Sequence, residues 1–226
     1  MAMLNEAVFQ RQLKLVDESV SKKTVCIIGC GGLGSFIALM LLKTGITNFI
    51  LYDFDDVEEH NIPTQFFRKK DIGKPKVDML KEQLIEHAPD IINVEAHYER
   101  YEISTLEIAD IFIPAVDNMT TRSDVFSSLE LNMEVELILD PRMGGVAYEI
   151  YTCIIEDSVS VKNYMSSLVG EEDIEPLECT AKATVFIAAL VAGEITNLAR
   201  RFLNKEELPR RIVYNGTTNR RLYLKN

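Results

Sequence analysis

Residues 25–56, VCIIGCGGLGSFIALMLLKTGITNFILYDFDD, constrain this chain more than any other stretch. A short apolar run at 25–28 meets Gly29, Gly31, Gly32 and Gly34. An apolar segment without proline follows at 35–42, and a second apolar run at 49–52 ends on Asp53. That order predicts strand, tight turn, helix, strand. Glycines at the turn allow a sharp bend. They also let backbone N–H groups approach a phosphate at a helix N-terminus, where the dipole favours anions. An acid at the tip of the second strand, here Asp53, can accept from a ribose hydroxyl. The alternative, a glycine turn that only packs a helix onto a sheet, leaves that acid without a role. The stretch points to nucleotide binding.

The rest of the chain supplies the frame. Residues 4–20 carry Leu4, Val8, Phe9, Leu13 and Val16 at helical spacing, which predicts an amphipathic helix. After Asp53 an acidic loop runs to Pro63, followed by a helix over 76–87 and a strand over 91–96. Residues 104–108 have a capping-box spacing, Ser104 with Glu107, and predict a helical turn. A strand at 111–116 ends on Asp117-Asn118, and a helix covers 120–131. A strand at 136–139 stops at Asp140-Pro141. Gly144-Gly145 make a turn into an antiparallel strand at 146–155. Polar residues follow, then a helix over 180–204, and two short strands at 211–214 and 221–224 around Asn215-Gly216. The front half thus predicts a Rossmann-like, mainly parallel sheet with helices on both faces, and the back half extends it with antiparallel strands. The expected organisation is one unit over 1–226. It comprises an N-terminal helix (1–20), a nucleotide-binding core (24–140), a mobile or crossover loop (156–179), and a C-terminal helix with strands (180–226).

Composition excludes several classes. A formal net charge of −11 argues against nonspecific nucleic-acid binding and against an anionic membrane surface. None of the four cysteines, Cys26, Cys30, Cys153 and Cys179, pairs as C-x-x-C, so no structural zinc site is expected. Two of them flank the glycine turn, where a disulfide would frame nothing, which fits a reducing compartment. The first ten residues lack a basic region followed by an apolar core, and the apolar stretch at 183–193 is too short to span a bilayer. A cytoplasmic protein is expected.

Three polar clusters follow expected strand ends: residues 29–34, residues 53–65, and Asp117-Asn118 with Arg122. Strand carboxyl ends share one rim of such a sheet, so the clusters should meet, and Lys74 or Lys76 could reach them from the start of the next helix. A carboxylate for a hard cation and a lysine for phosphate oxygens suit ATP with Mg²⁺ better than a dinucleotide used for hydride transfer.

In this order the motifs resemble the ThiF/MoeB/HesA adenylyltransferases, kin of the ubiquitin-activating enzymes. The resemblance rests on G-x-G-G-x-G at 29–34 and on D-x-D-x-V-E-x-x-N, here Asp53, Asp55, Val57, Glu58 and Asn61. It continues through Gln65, G-K-P-K at 73–76, and D-N-x-x-x-R, here Asp117, Asn118 and Arg122. It implies that Asp53 meets the ribose, with Asp55 beside it on the nucleotide loop. Lys76 would meet the ATP phosphates, with Asn61 and Gln65 on the phosphate side. Asp117 would position Mg²⁺ and the reacting phosphate. Arg11, of an R-Q pair before the first strand, would reach into the site of a partner subunit, making a homodimer. The implied reaction is adenylation of the C-terminal glycine of a ubiquitin-like or sulfur-carrier protein. The chain departs from the family in having Thr64 where N-L-x-R-Q carries arginine, with Arg68 the candidate replacement. It also lacks the family's two C-x-x-C zinc pairs.

Cys179 follows acidic residues and precedes Thr180, a good N-cap; a thiol near a helix N-terminus ionises more easily, so Cys179 is the candidate for a thioester. A buried, inert thiol is the plain alternative. Arg142 is expected to pair with an acid, and His60 to be incidental. Rival functions are activation of a tRNA base or a peptide carboxylate, NAD-dependent oxidoreduction, and a non-catalytic dimerisation partner of the same fold.

Overall fold

A computed structural model of the chain describes residues 6–12, 14–88, 92–102, 107–129, 134–168 and 184–225. Eight strands form one sheet in the order β3-β2-β1-β4-β5-β6-β7-β8. β1 (Thr24–Ile28) pairs in parallel with β2 (Asn48–Tyr52) on one side and with β4 (Ile111–Pro114) on the other. β3 (Asn93–His97) continues the parallel half beyond β2, and β5 (Leu137–Gly144) continues it beyond β4. β6 (Ala147–Ile154), β7 (Arg211–Asn215) and β8 (Arg220–Leu224) then run antiparallel. This is the fold class read from the sequence.

The inner parallel strands β1, β2 and β4 are almost wholly apolar because both faces are covered, whereas the edge strand β3 carries Asn93, Glu95 and His97 and buries only Val94 fully. Val25 and Ile27 of β1 face a core with Ile37 and Leu41 of α2 (Gly32–Thr44), Leu80 of α3 (Lys76–His87) and Val191 of the last helix (Val185–Leu203). Their neighbours Cys26 and Ile28 face a second core with Val125 and Phe126 of the helix Met119–Leu129. One strand thus serves two cores through its period of two.

Three sequence expectations need correction. Residues 4–20 do not form one helix. Among the described residues α1 covers Glu6–Phe9, a turn follows at Gln12, and Asp17 caps a 3-10 segment at Glu18–Lys22 by accepting from Ser19 N (2.8 Å). Phe9, Val16 and Val20 still reach the core, from two short pieces instead of one face. The strand expected to stop at Asp140-Pro141 runs on to Gly144, because past Ile138 β5 has left β4 and pairs only with β6. A strand paired on one edge tolerates proline. The polar segment after residue 156 contains a helix, α5 (Ser158–Met165), capped by Asp157 and anchored by buried Ser160 and Tyr164. In chain order Met119–Leu129 is α4 and Val185–Leu203 is α6. The expected turn at 104–108 falls largely outside the described residues. None of the described helices is long and apolar enough to cross a membrane.

Candidate functional site

β1 connects to β2 on one side and the chain later crosses to β4 on the other, so the helices that leave β1 and β4, α2 and α4, pack on opposite faces of the sheet. Such a switch point opens the crevice where open α/β sheets take their ligands. The glycine turn lies in it. Gly29 has φ +94°, and a Cβ there would stand 2.6 Å from the carbonyl oxygen of Ala115, just past β4. A Cβ on Gly34 would stand 1.9 Å from the carbonyl oxygen of Gly29. Both positions exclude side chains for packing reasons alone. Gly31 differs. A Cβ there would meet only the Gln65 amide, at 3.7 Å, and no side chain caps α2. The first-turn N–H groups of α2 therefore face an open approach lined by an amide, an arrangement that accepts an anion.

Asp53 is 8% exposed and braces the turn. Its Oδ2 accepts from Cys30 N (2.7 Å) and its Oδ1 from Asp55 N (2.8 Å). Burial pushes this carboxyl above its ordinary value, opposed by Lys76 and the two backbone donors. A carboxylate has further acceptor sites, so the bracing leaves room for a ribose hydroxyl. Lys76, the first residue of α3, is 7% exposed, and its Nζ donates to Asp55 Oδ2 (2.8 Å). An Asp56–Pro75 bridge and the Lys76 N to Asp55 O bond (3.0 Å) pin the start of α3 to this loop. The turn, Asp53, Asp55 and Lys76 thus form one connected group.

Asn61 is buried, and its Oδ1 accepts from Glu58 N (2.9 Å), so its amide closes the loop on itself. Gln65 lies beside Gly31, with a buried Oε1 that has no hydrogen-bond partner. Such an orphaned polar atom is costly without a ligand or water. Arg68 is placed differently. Its Nε donates to Asp71 Oδ2 (3.0 Å), Nη1 to Glu86 (2.7 Å) and Nη2 to Glu82 (2.8 Å), so its guanidinium serves α3. Thr64 donates to backbone carbonyls of its own turn. No arginine from this loop is thereby turned to the glycine turn.

Beyond β4, Asp117 is exposed while Asn118 Oδ1 accepts from Thr121 N (2.8 Å) in the first turn of α4. Among the described residues no group of three or more His, Cys, Asp or Glu could hold a metal ion by itself. A single exposed carboxylate does fit Mg²⁺ that arrives with phosphates, since that ion keeps waters and takes one or two carboxylates. Arg11 is exposed, and Gln12 next to it donates to Lys43 O (3.0 Å), at the far end of α2 from the glycine turn. A helix of 13 residues places these ends about 20 Å apart, so Arg11 does not join the site of its own chain. Cys179 lies outside the described residues, and α6 starts at Val185 with Thr184 as its N-cap, not at Thr180, so the helix N-terminus expected beside this thiol stands several residues further on. Cys26, Cys30 and Cys153 are buried with raised thiol pKa values, Cys153 up to about 12, and all three pack in the cores.

Sequence reasoning missed a buried ionic cluster below the rim. Asp140, fully buried, pairs with Arg122 of α4 and with Arg142, the latter as expected of that arginine. The available signal was an acid directly after the apolar residues 137–139, since a buried charge requires partners.

A ThiF family model matches residues 6–138 of the chain. Ubiquitin-like modifier-activating enzyme 5 of Caenorhabditis briggsae is 32% identical over 126 residues, covering 54% of this chain and 28% of that protein. The same enzyme of Drosophila mojavensis is 37% identical over 122 residues, again 54% and 28%. The matched stretch is thus well under half the length of these relatives. Among solved structures, Escherichia coli MccB with AMPCPP and MccA superposes with a TM-score of 0.78 at 17% identity, covering 98% of this chain and 72% of that one. PaaA does so with a TM-score of 0.75 at 19% identity, with the same coverage. At such identities the likeness establishes the fold.

Proposed function

The chain belongs to the ThiF family, and from that premise we propose that it adenylates a carboxylate, the C-terminal glycine of a ubiquitin-like or sulfur-carrier protein. What supports the reading is the strand-end rim after β1, β2 and β4, which carries the N-terminus of α2 without a side-chain cap at Gly31, the unpartnered Gln65 Oε1 beside Gly31, the Asp55–Lys76 pair, and Asp117. The similarity to ubiquitin-like modifier-activating enzyme 5 supports the substrate class.

In this reading the triphosphate of ATP lies on the first turn of α2, and the ammonium of Lys76 leaves Asp55 to neutralise phosphate oxygens. Asp53 accepts from the ribose. Asp117 would hold Mg²⁺ on the protein side, and the ion would supply charge neutralisation on the phosphates. The carboxylate oxygen of the carrier attacks the α-phosphorus, the bond to the pyrophosphate oxygen breaks, and pyrophosphate leaves. Positioning and charge neutralisation do the catalysis, as phosphorus chemistry of this kind requires. Arg11 meets the site of a second copy in a homodimer. A second step passes the acyl group to the thiolate of Cys179 with release of AMP.

The test is isotope exchange between pyrophosphate and ATP, with Mg²⁺ and carrier proteins ending in glycine. Exchange that requires the carrier, is lost in Asp117→Ala and persists in Cys179→Ala supports adenylation at this site. ATP binding without exchange on any carrier or peptide would favour the non-catalytic partner, a reading to which Thr64 and the acid-bound Arg68 lend weight.

A further inference from the structure

Asp140 gathers groups from distant parts of the chain. Its Oδ1 accepts from Nη1 of Arg122. Its Oδ2 accepts from Nε and Nη2 of Arg142 (2.9 and 2.7 Å) and from the hydroxyl of Tyr164 on α5 (3.2 Å). Arg122 also donates to the carbonyl oxygens of Pro114 (2.8 Å), Val116 and Pro141 (3.2 Å). Arg142 donates to Ser167 O and Oγ, both at 3.0 Å, just past the end of α5, and lies over the ring of Tyr151 at 4.2 Å. Two guanidiniums against one carboxylate leave one net positive charge. Burial pushes Arg122 down to about 10, with Arg142 adding to the push, which still leaves it charged at neutral pH.

Stability alone does not explain such a cluster, because well-packed apolar residues commonly do as well as a buried ionic triad. What the triad fixes is a set of carbonyls. Those of Pro114 and Val116 belong to the segment that ends in Asp117, and a guanidinium holding both in a planar fork sets the direction in which residue 117 leaves β4.

We infer that Asp140 and Arg142, acting through Arg122, are positioning residues that aim Asp117 at the metal on bound ATP and tie that aim to the end of α5 through Ser167. The inference rests on the reading of the rim as an ATP·Mg site. Arg142 holds Asp140, Asp140 orients Arg122, and Arg122 holds the Asp117 segment. Disturbance at the far end should therefore appear as a weaker metal-dependent part of nucleotide affinity, with the metal-free part intact.

The experiment measures ATP dissociation constants by titration calorimetry, with and without Mg²⁺, for the wild-type chain and Arg142→Gln. In the variant the gain in affinity conferred by Mg²⁺ should fall about tenfold, a typical coupling between linked sites. Its metal-free affinity should stay within about twofold. Arg142→Lys, which keeps the charge but loses the fork, should fall between the two. A folded Arg142→Gln protein with an unchanged Mg²⁺ effect overturns the inference, as does an equal loss with and without the metal, which a merely structural role would give. Should Arg142→Gln not fold, Tyr164→Phe, which removes one donor to Asp140, must show the same selective loss at smaller size. A wild-type chain that binds no ATP in either condition defeats the nucleotide reading itself, whereas failure of the variants alone defeats only this inference.

Discussion

Gly31 and Gly34 sit three residues apart in one turn, and the structure assigns them opposite sensitivities. A methyl at Gly34 would stand 1.9 Å from Gly29 O and 3.0 Å from its carbonyl carbon, both backbone atoms that cannot swing away. Overpacking of that kind reaches about 3 kcal/mol. For a chain of this size each kcal/mol moves the melting temperature by about 2–4 °C, so Gly34→Ala should lower it by about 6–12 °C. At Gly31 the nearest atom to an added methyl is Gln65 Nε2 at 3.7 Å, an ordinary contact, and φ is −80°. Alanine lies about 1 kcal/mol and glycine a few tenths below the favoured N-caps, so the exchange costs somewhat less than about 1 kcal/mol, or about 1–3 °C. The methyl would, however, hold an anion away from the first-turn N–H groups. Losing two charge-assisted hydrogen bonds at about 1.5 kcal/mol each amounts to roughly a hundredfold in Kd. Thermal melts and ATP titrations of both variants decide the matter. Gly31→Ala that folds well and binds ATP as tightly as wild type would refute the placement of the phosphates on α2.

Lys76→Met removes a nearly buried ammonium whose partner, Asp55, is half exposed and can turn to water. The buried Asp53 carboxylate also loses the ammonium that offsets its burial, so stability should fall by about 1–3 kcal/mol, while carrier-dependent pyrophosphate exchange falls about 10²-fold or more. An active Lys76→Met enzyme would remove the lysine from the mechanism. Burial pushes the Asp71 carboxyl up, but the side-chain and backbone bonds with Arg68 outweigh it and hold its pKa below the ordinary value. The ionised form is therefore favoured by folding, and its stabilisation is present above the unfolded value of 3.8 and lost as pH falls through the lower folded value. Asp71→Asn should flatten the acid limb of a melting-temperature profile below about pH 4, and an unchanged limb would contradict the pairing. Cys26, Cys30 and Cys153 should remain unalkylated by iodoacetamide at pH 8 in the native protein, since burial raises all three thiols. Adducts on any of them, seen by peptide mass spectrometry, would show that the cores open.

The sheet was legible because its inner parallel strands β1, β2 and β4 are apolar on both faces and end at polar clusters, as residues 25–34 and 49–56 illustrate. α3 starts and ends where its apolar spacing indicated, at Lys76 and His87. Legibility failed where tertiary contacts overrode local pattern. Phe9, Val16 and Val20 keep helical spacing, yet a turn at Gln12, tied to Lys43 O, divides them. Asp140-Pro141 reads as a strand stop, and only the departure of β4 lets β5 continue through it. At the rim, the residue types indicated proximity but not attachment. The sequence offered Arg68 to replace the arginine missing at Thr64, whereas Asp71 three residues on holds it locally, and the packing of α3 brings Glu82 and Glu86 onto it from a distance. The Asp140 cluster escaped for the same reason, since its members come from β5, α4 and α5.

The most direct test of adenylation follows oxygen. A carrier polypeptide whose C-terminal carboxylate is labelled with ¹⁸O is incubated with ATP, Mg²⁺ and the wild-type chain, and AMP is analysed by mass spectrometry after turnover. Attack by the carboxylate on the α-phosphorus predicts pyrophosphate as the released product and one labelled oxygen in AMP. Unlabelled AMP, or label found in inorganic phosphate with ADP as the nucleotide product, would contradict it.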